Sequence, residues 1–132
     1  MKAVAAHPIA SPSWASTKGE VVAVESRLGD LRIEVSELGS TRKLVVQFAE
    51  AEAFRVMNER DLREFWPTCS SPNGWIFEVT EGGWLTQELD RVGSLIGKTA
   101  PGLREFLIAG VEDCVSVLAR LEPKVLNIQA TE

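Results

Sequence analysis

Apolar and polar residues alternate along LRIEVSE, so that Leu31, Ile33 and Val35 fall on one face and Arg32, Glu34 and Ser36 on the other. A period of two marks a strand with one face in a core and the other in water. The preceding EVVAVES is also strand-like, and Leu28-Gly29-Asp30 supplies a turn, so residues 20 to 37 read as a hairpin. Gly39-Ser40 then turns the chain into KLVVQF, where Leu44, Val46 and Phe48 share a face. The next stretch, AEAEAFRVMNERDLREFW, is rich in helix formers but holds no apolar stripe of period 3.6, and AFRVM suits a strand. Helix and strand both stay open for residues 49 to 58. The reading adopted is a strand over residues 52 to 57 and a short helix near residues 60 to 66, with Asp61 helping to cap it and Pro67 stopping it.

PNGWIFEVTEGGWLTQELD, residues 72 to 90, reads as a hairpin turning at Glu81-Gly82. That register sets Val79 opposite Trp84, Phe77 opposite Thr86 and Trp75 opposite Glu88, and puts Trp75, Phe77, Val79 and Trp84 on one apolar face. Large aromatics supply much of a small β-domain's burial, so both tryptophans are expected in the core, Trp84 lying nearer a rim beside the turn. A last hairpin is read in LREFLIAGVEDCVSVLAR. A loop at residues 110 to 113 pairs Phe106 and Ile108 with Val117 and Val115, while Leu107 and Leu118 occupy the opposite face. Strands apolar on both faces belong in the middle of a sandwich or of a strongly curved sheet. Glu122-Pro123 ends that strand, and KVLNI adds a short edge. The sequence therefore predicts a mainly β, β-rich α+β fold, an antiparallel sheet curved or sandwiched, with seven or eight strands and one or two short helices.

A chain of 132 residues is long enough to bury roughly two-thirds of its unfolded surface without staples. Its apolar and charged fractions, 45% and 25%, are those of an ordinary globular protein. No apolar run approaches the ~20 residues of a membrane-spanning helix. The opening MKAVAAHPIASPSW is broken by His7, Pro8 and Pro12 too soon for a signal peptide. Residues 1–18 are expected to form a flexible tail and residues 19–132 a single β-rich domain in the cytoplasm. Cys69 and Cys114 fit that compartment as two reduced, unrelated thiols.

The inventory for catalysis is thin. His7, the only histidine, falls in the expected tail, which removes a Ser-His-Asp or Cys-His pair from the folded body. No spacing of histidines, cysteines or carboxylates suggests a metal, and GKT at residues 97 to 99 lacks the earlier glycine of a phosphate loop, Val92 standing in its place. Carboxylate pairs such as Glu78 and Glu88, or Glu50 and Glu52, have the chemistry of an acid and a base but read as solvated strand positions. No enzyme and no cofactor are expected.

Charge is more informative. The net charge is -5, and residues 50 to 90 hold nine acidic against three basic side chains, so the whole excess lies in the middle third. Such a surface disfavours nucleic acid, whose phosphates call for lysine and arginine, and favours a basic protein partner that its field would steer. It also reads as a solvated face. The residues expected to meet a partner are Glu78, Glu81, Trp84, Glu88 and Asp90.

Three segments, DLREFW, GWIFEVTEGGW and REFLIAGVEDCVSVL, in a small, acidic, mostly-β chain resemble the immunity proteins that neutralise polymorphic or contact-delivered bacterial toxins. The resemblance covers about a third of the chain. It implies a stoichiometric inhibitor that holds its toxin with an acidic, aromatic-bearing surface. The expected function is thus a non-catalytic protein-binding domain. The alternative is a β-domain that binds a small molecule near Trp75 and Trp84.

Overall fold

The period-two segments become strands, and their apolar faces meet. The computed structural model describes residues 3–9, 18–70 and 73–128. Nine strands run in it: β1 (Ala5–Pro8), β2 (Gly19–Arg27), β3 (Asp30–Glu37), β4 (Lys43–Phe48), β5 (Ala53–Asn58), β6 (Ile76–Glu81), β7 (Arg104–Ile108), β8 (Asp113–Ala119) and β9 (Lys124–Ile128). All pairings between them are antiparallel. A five-stranded sheet has the order β1-β6-β7-β8-β5, and a four-stranded sheet the order β2-β3-β4-β9. The fold is mainly β as expected, with nine strands among the described residues rather than seven or eight.

Leu28 and Gly29 join β2 to β3, both at positive φ (49° and 91°). Two such residues in succession make the hairpin turn whose twist matches that of the strands, and glycine enters it without a steric penalty. Leu31, Ile33 and Val35 of β3 and Leu44, Val46 and Phe48 of β4 then meet Ile76, Phe106, Ile108, Val115 and Val117 of the five-stranded sheet in one apolar cluster. The β7–β8 hairpin has the register read from the sequence, Phe106 against Val117 and Ile108 against Val115. Phe48 and Phe106 touch at its centre, ring centroids 5.3 Å apart.

The five-stranded sheet has a second covered face. Phe77 and Val79 of β6, Leu107 of β7 and Cys114 of β8 pack there against Leu62, Phe65 and Cys69 of the segment that follows β5. That segment is two 3-10 turns, Glu59–Asp61 and Arg63–Phe65, where one short helix was expected. Its first turn is capped by Asn58, whose Oδ1 accepts from the Arg60 amide (3.0 Å), and not by Asp61.

Three expectations are corrected. Residues 5–8, placed in the tail, form β1 on the edge of β6, with Val4 and Ala6 packed into the second cluster. Backbone pairing to an open edge requires no side-chain periodicity, which is why the sequence pattern did not show it. Residues 10–17 of the expected tail lie outside the described residues. The second half of the expected 72–90 hairpin is a helix, α1 (Trp84–Asp90), followed by α2 (Ile96–Thr99). The partner of β6 is instead β7, pairing Phe77 with Leu107 and Val79 with Glu105. Trp75, finally, does not share a face with Phe77 and Val79. It precedes the strand and turns into the inter-sheet core, 2% exposed, while they point to the other side.

Candidate functional site

The outer face of the five-stranded sheet carries a fully buried carboxylate of a kind that the inter-sheet cluster lacks. Glu105 stands there on β7, 1% exposed and cross-strand from Val79 and Leu118. Its two carboxylate oxygens accept from the first amides of α1: Oε2 from Trp84 (3.1 Å) and Oε1 from Leu85 (2.9 Å). A helix's first amides have no partner within the helix, and α1 opens on Gly83, whose side is bare of any capping group. The carboxylate of another strand supplies what the local sequence does not. Gly83 is required by the approach: a Cβ on it would lie 2.6 Å from Glu105 Oε1 and 2.8 Å from Val79 Cγ1.

Arg55 of β5 completes the cluster. Its guanidinium carbon sits 4.9 Å from the centroid of the Trp84 indole, within the reach of a cation–π attraction. It lies in the field of Glu105 on the sheet, Glu64 on the 3-10 segment and Glu88 on α1. Burial nonetheless lowers the Arg55 pKa, and burial raises that of Glu105 against the two amides that favour its anion. Arg55 Nε and the Oγ of the buried Ser116 beside it make no hydrogen bond among the described residues.

The predicted partner residues divide. Glu81 and Asp90 flank α1 and are exposed, and Trp84, half-buried, presents its indole beside Arg55. Glu88 is held by Arg91 Nε at 2.9 Å. Glu78 is withdrawn from the set. Arg104 grips it with two parallel bonds (2.8 and 2.7 Å), and His7 Nε2 stands 3.5 Å away. The Arg104 bonds hold the Glu78 carboxyl below its usual range, so neither docking nor proton donation suits it. His7 therefore belongs to the folded body and not to a tail.

Three further carboxylates, Glu59, Asp61 and Glu64, are exposed on the 3-10 segment. Arg60 and Arg63 are exposed on the same segment, so three acidic against two basic side chains leave it a net of -1, and most of the acidic excess of residues 50 to 90 lies outside it. Glu105 and Arg55 were not singled out from the sequence. A signal existed for Glu105, a lone carboxylate on the face otherwise set by Leu107 and Leu118. None existed for Arg55, because its meaning depends on where α1 lands.

A cleft of about 290 Å³ opens beside the 3-10 segment, where Trp66, Cys69, Ser70 and Trp75 meet Lys18 and Glu59. Trp75 lines it, as the alternative reading expected of a ligand site; Trp84 does not. Trp66 is fixed by its indole N–H, which donates to the Glu59 carbonyl at 2.9 Å. Cys69 and Cys114 are free, buried thiols that burial pushes up to about 11, so both stay protonated and unreactive near neutral pH. Among the described residues no group of three or more histidines, cysteines or carboxylates is placed to hold a metal, and no helix is long and apolar enough to cross a membrane. Compared with family models, curated proteins and solved structures, the chain matches none.

Proposed function

We propose that the protein is a non-catalytic binding domain that docks a basic protein partner on the layer covering the outer face of its five-stranded sheet. The observation that carries this reading is the exposure of Glu59, Asp61 and Glu64 on the 3-10 segment, of Glu81 at the end of β6 and of Asp90 at the end of α1, with Arg55, in the field of Glu64 and Glu88, holding the half-buried Trp84. Charged rims steer a partner and a central aromatic anchors it. The same charge repels phosphate backbones, so nucleic acid is not the partner. In its sharpest form the partner is a bacterial toxin and the protein its cytoplasmic immunity factor. The resemblance in DLREFW, GWIFEVTEGGW and REFLIAGVEDCVSVL supports that form, and two free thiols suit a reducing compartment.

Copurification from the native host identifies the partner, and stopped-flow association then tests the surface. Glu64, Glu81 and Asp90 are the residues to reverse to lysine, because Glu78 serves Arg104 inside the fold. The triple variant should fold normally and associate about tenfold more slowly at low salt, with the difference shrinking as salt screens the field. An unchanged on-rate reduces these carboxylates to a solvated face.

A second reading rests on the cleft at Trp66 and Trp75, whose volume suits a small ligand. Metabolite titration monitored by tryptophan fluorescence supports it if a compound quenches wild type and fails to quench Trp66→Phe.

A further inference from the structure

Separate segments of the chain reach the cleft beside the 3-10 turns, and backbone bonds fix them there. Lys18 precedes β2, whose Gly19 carbonyl accepts from the Val111 amide (2.9 Å). Glu59 follows β5, and its amide donates to the Glu112 carbonyl (2.6 Å). The turn between β7 and β8 thus bonds to the start of β2 in one sheet and to the residue after β5 in the other. Those bonds carry Lys18 and Glu59 to one cleft. Trp66 is held twice: its indole N–H donates to the Glu59 carbonyl (2.9 Å), and its own carbonyl accepts from Ser70 Oγ (2.8 Å). The Trp75 carbonyl accepts from the Ala109 amide (2.7 Å). Gly110 has room for no side chain, because a Cβ on it would meet the Asp113 carbonyl and Val21. These walls stand before anything binds, and a preformed site loses little conformational entropy on binding.

The chemistry of the lining is sparse. Trp66, Trp75, Ala109 and Val111 offer indole and aliphatic surface, and the Ser70 hydroxyl already serves Trp66. The charged groups are Lys18 and Glu59, both exposed. Among the described residues neither side chain has an ion pair or a hydrogen bond of its own. An aromatic cleft therefore carries one uncommitted cation and one uncommitted carboxylate.

We propose that the cleft binds a small aromatic zwitterion: a single ring bearing one amine and one carboxylate, as in an aromatic α-amino acid. The ring packs on Trp66 and Trp75, the ammonium pairs with Glu59 and the carboxylate with Lys18. The assignment rests on the reading of the cleft as a ligand site and names what that site takes. Other classes fit the lining less well. A nucleotide brings several negative charges to one lysine standing with a carboxylate. A sugar calls for several polar side chains, where the cleft has Ala109, Val111 and two glycines. The volume of about 290 Å³ is at the small end of ligand sites, ~300–1,000 Å³, and suits one ring with short substituents.

Nitrogen-edited NMR of the Trp66 indole N–H, identified by its loss in Trp66→Phe, tests the assignment with four probes. L-phenylalanine has both charges, phenethylamine only the amine, phenylpropionate only the carboxylate, and benzyl alcohol neither. Phenylalanine should shift the signal with a dissociation constant of about 1 mM or tighter. Lys18→Met should weaken phenylalanine and phenylpropionate about three- to fivefold, the size of an exposed ion pair, and leave phenethylamine unchanged. Glu59→Gln should weaken phenylalanine and phenethylamine by a similar factor and leave phenylpropionate unchanged. Both side chains are exposed and the bonds of Glu59 are made by its backbone, so both variants should fold. Neither substitution touches Glu64, Glu81 or Asp90, so the acidic surface is tested separately. If benzyl alcohol binds as well as phenylalanine, or phenylalanine is indifferent to both substitutions, the zwitterion is overturned and the cleft remains a ligand site. If no probe moves the Trp66 signal, both are overturned.

Discussion

The two faces of the five-stranded sheet are built on different principles. The inner face meets another sheet through an apolar cluster that includes Trp75, Ile76, Phe106, Ile108, Val115 and Val117, its Glu78–Arg104 pair lying outside that cluster. Burial there is roughly proportional to area and needs no partner-by-partner matching. The outer face meets a seven-residue helix and two 3-10 turns, too short to hold their shape alone. It therefore adds directed contacts to its apolar cluster: Glu105 to two amides, and Arg55 to an indole. Removing area should hurt the first face most, and removing one atom's geometry should hurt the second.

The largest expected effect is on the inner face. Trp75→Ala empties a buried aromatic site and should lower unfolding free energy by about 3–5 kcal/mol in urea titration. A variant of near wild-type stability would mean that Trp75 contributes to the cleft more than to the core.

On the outer face, Glu105→Ala leaves the Trp84 and Leu85 amides without an acceptor and should cost about 1–3 kcal/mol. Gly83→Ala, only one methyl, should cost a similar ~1–3 kcal/mol by pushing the carboxylate off the helix. Both should speed amide exchange along α1 far more than in β8. Because they act on one contact, their combination should cost less than the sum. Additive losses would mean that α1 is held by something other than Glu105.

The smallest effect separates two carboxylates on opposite faces by sign. Glu105 has a raised folded-state pKa, caused first by burial. Its protonated form is favoured by folding, so its contribution is complete below the ordinary carboxylate value of ~4.3 and declines as pH rises through the folded value. Glu78 has a lowered pKa, caused first by the Arg104 bonds. Its contribution is present above ~4.3 and is lost as pH falls through its folded value. Measured against Glu105→Gln, wild type should lose ground with rising pH; measured against Glu78→Gln, it should lose ground with falling pH. Slopes of the same sign would erase the distinction between the two sites.

What could be read in the sequence follows from periodicity. Leu31, Ile33 and Val35, and the register of Phe106 and Ile108 on Val117 and Val115, were legible because side chains on a strand alternate faces whatever lies beyond. The acidic excess of residues 50 to 90 was equally legible, since charge is additive along a chain. Trp84 was misplaced for a reason of the same kind. GGWLTQELD alternates no better as a strand than as a helix, and what selects helix is an acceptor 20 residues away in sequence, Glu105. Likewise Glu78 looks like any solvated strand carboxylate until β7 brings Arg104 against it. Local pattern determined the strands from β2 to β4 and the β7–β8 hairpin and which of their faces are apolar, but neither β1 nor the helix at Trp84. Tertiary structure alone decided which charges are free and which are spent, because a charge's role depends on the one group it can reach, and that group comes from a distant strand.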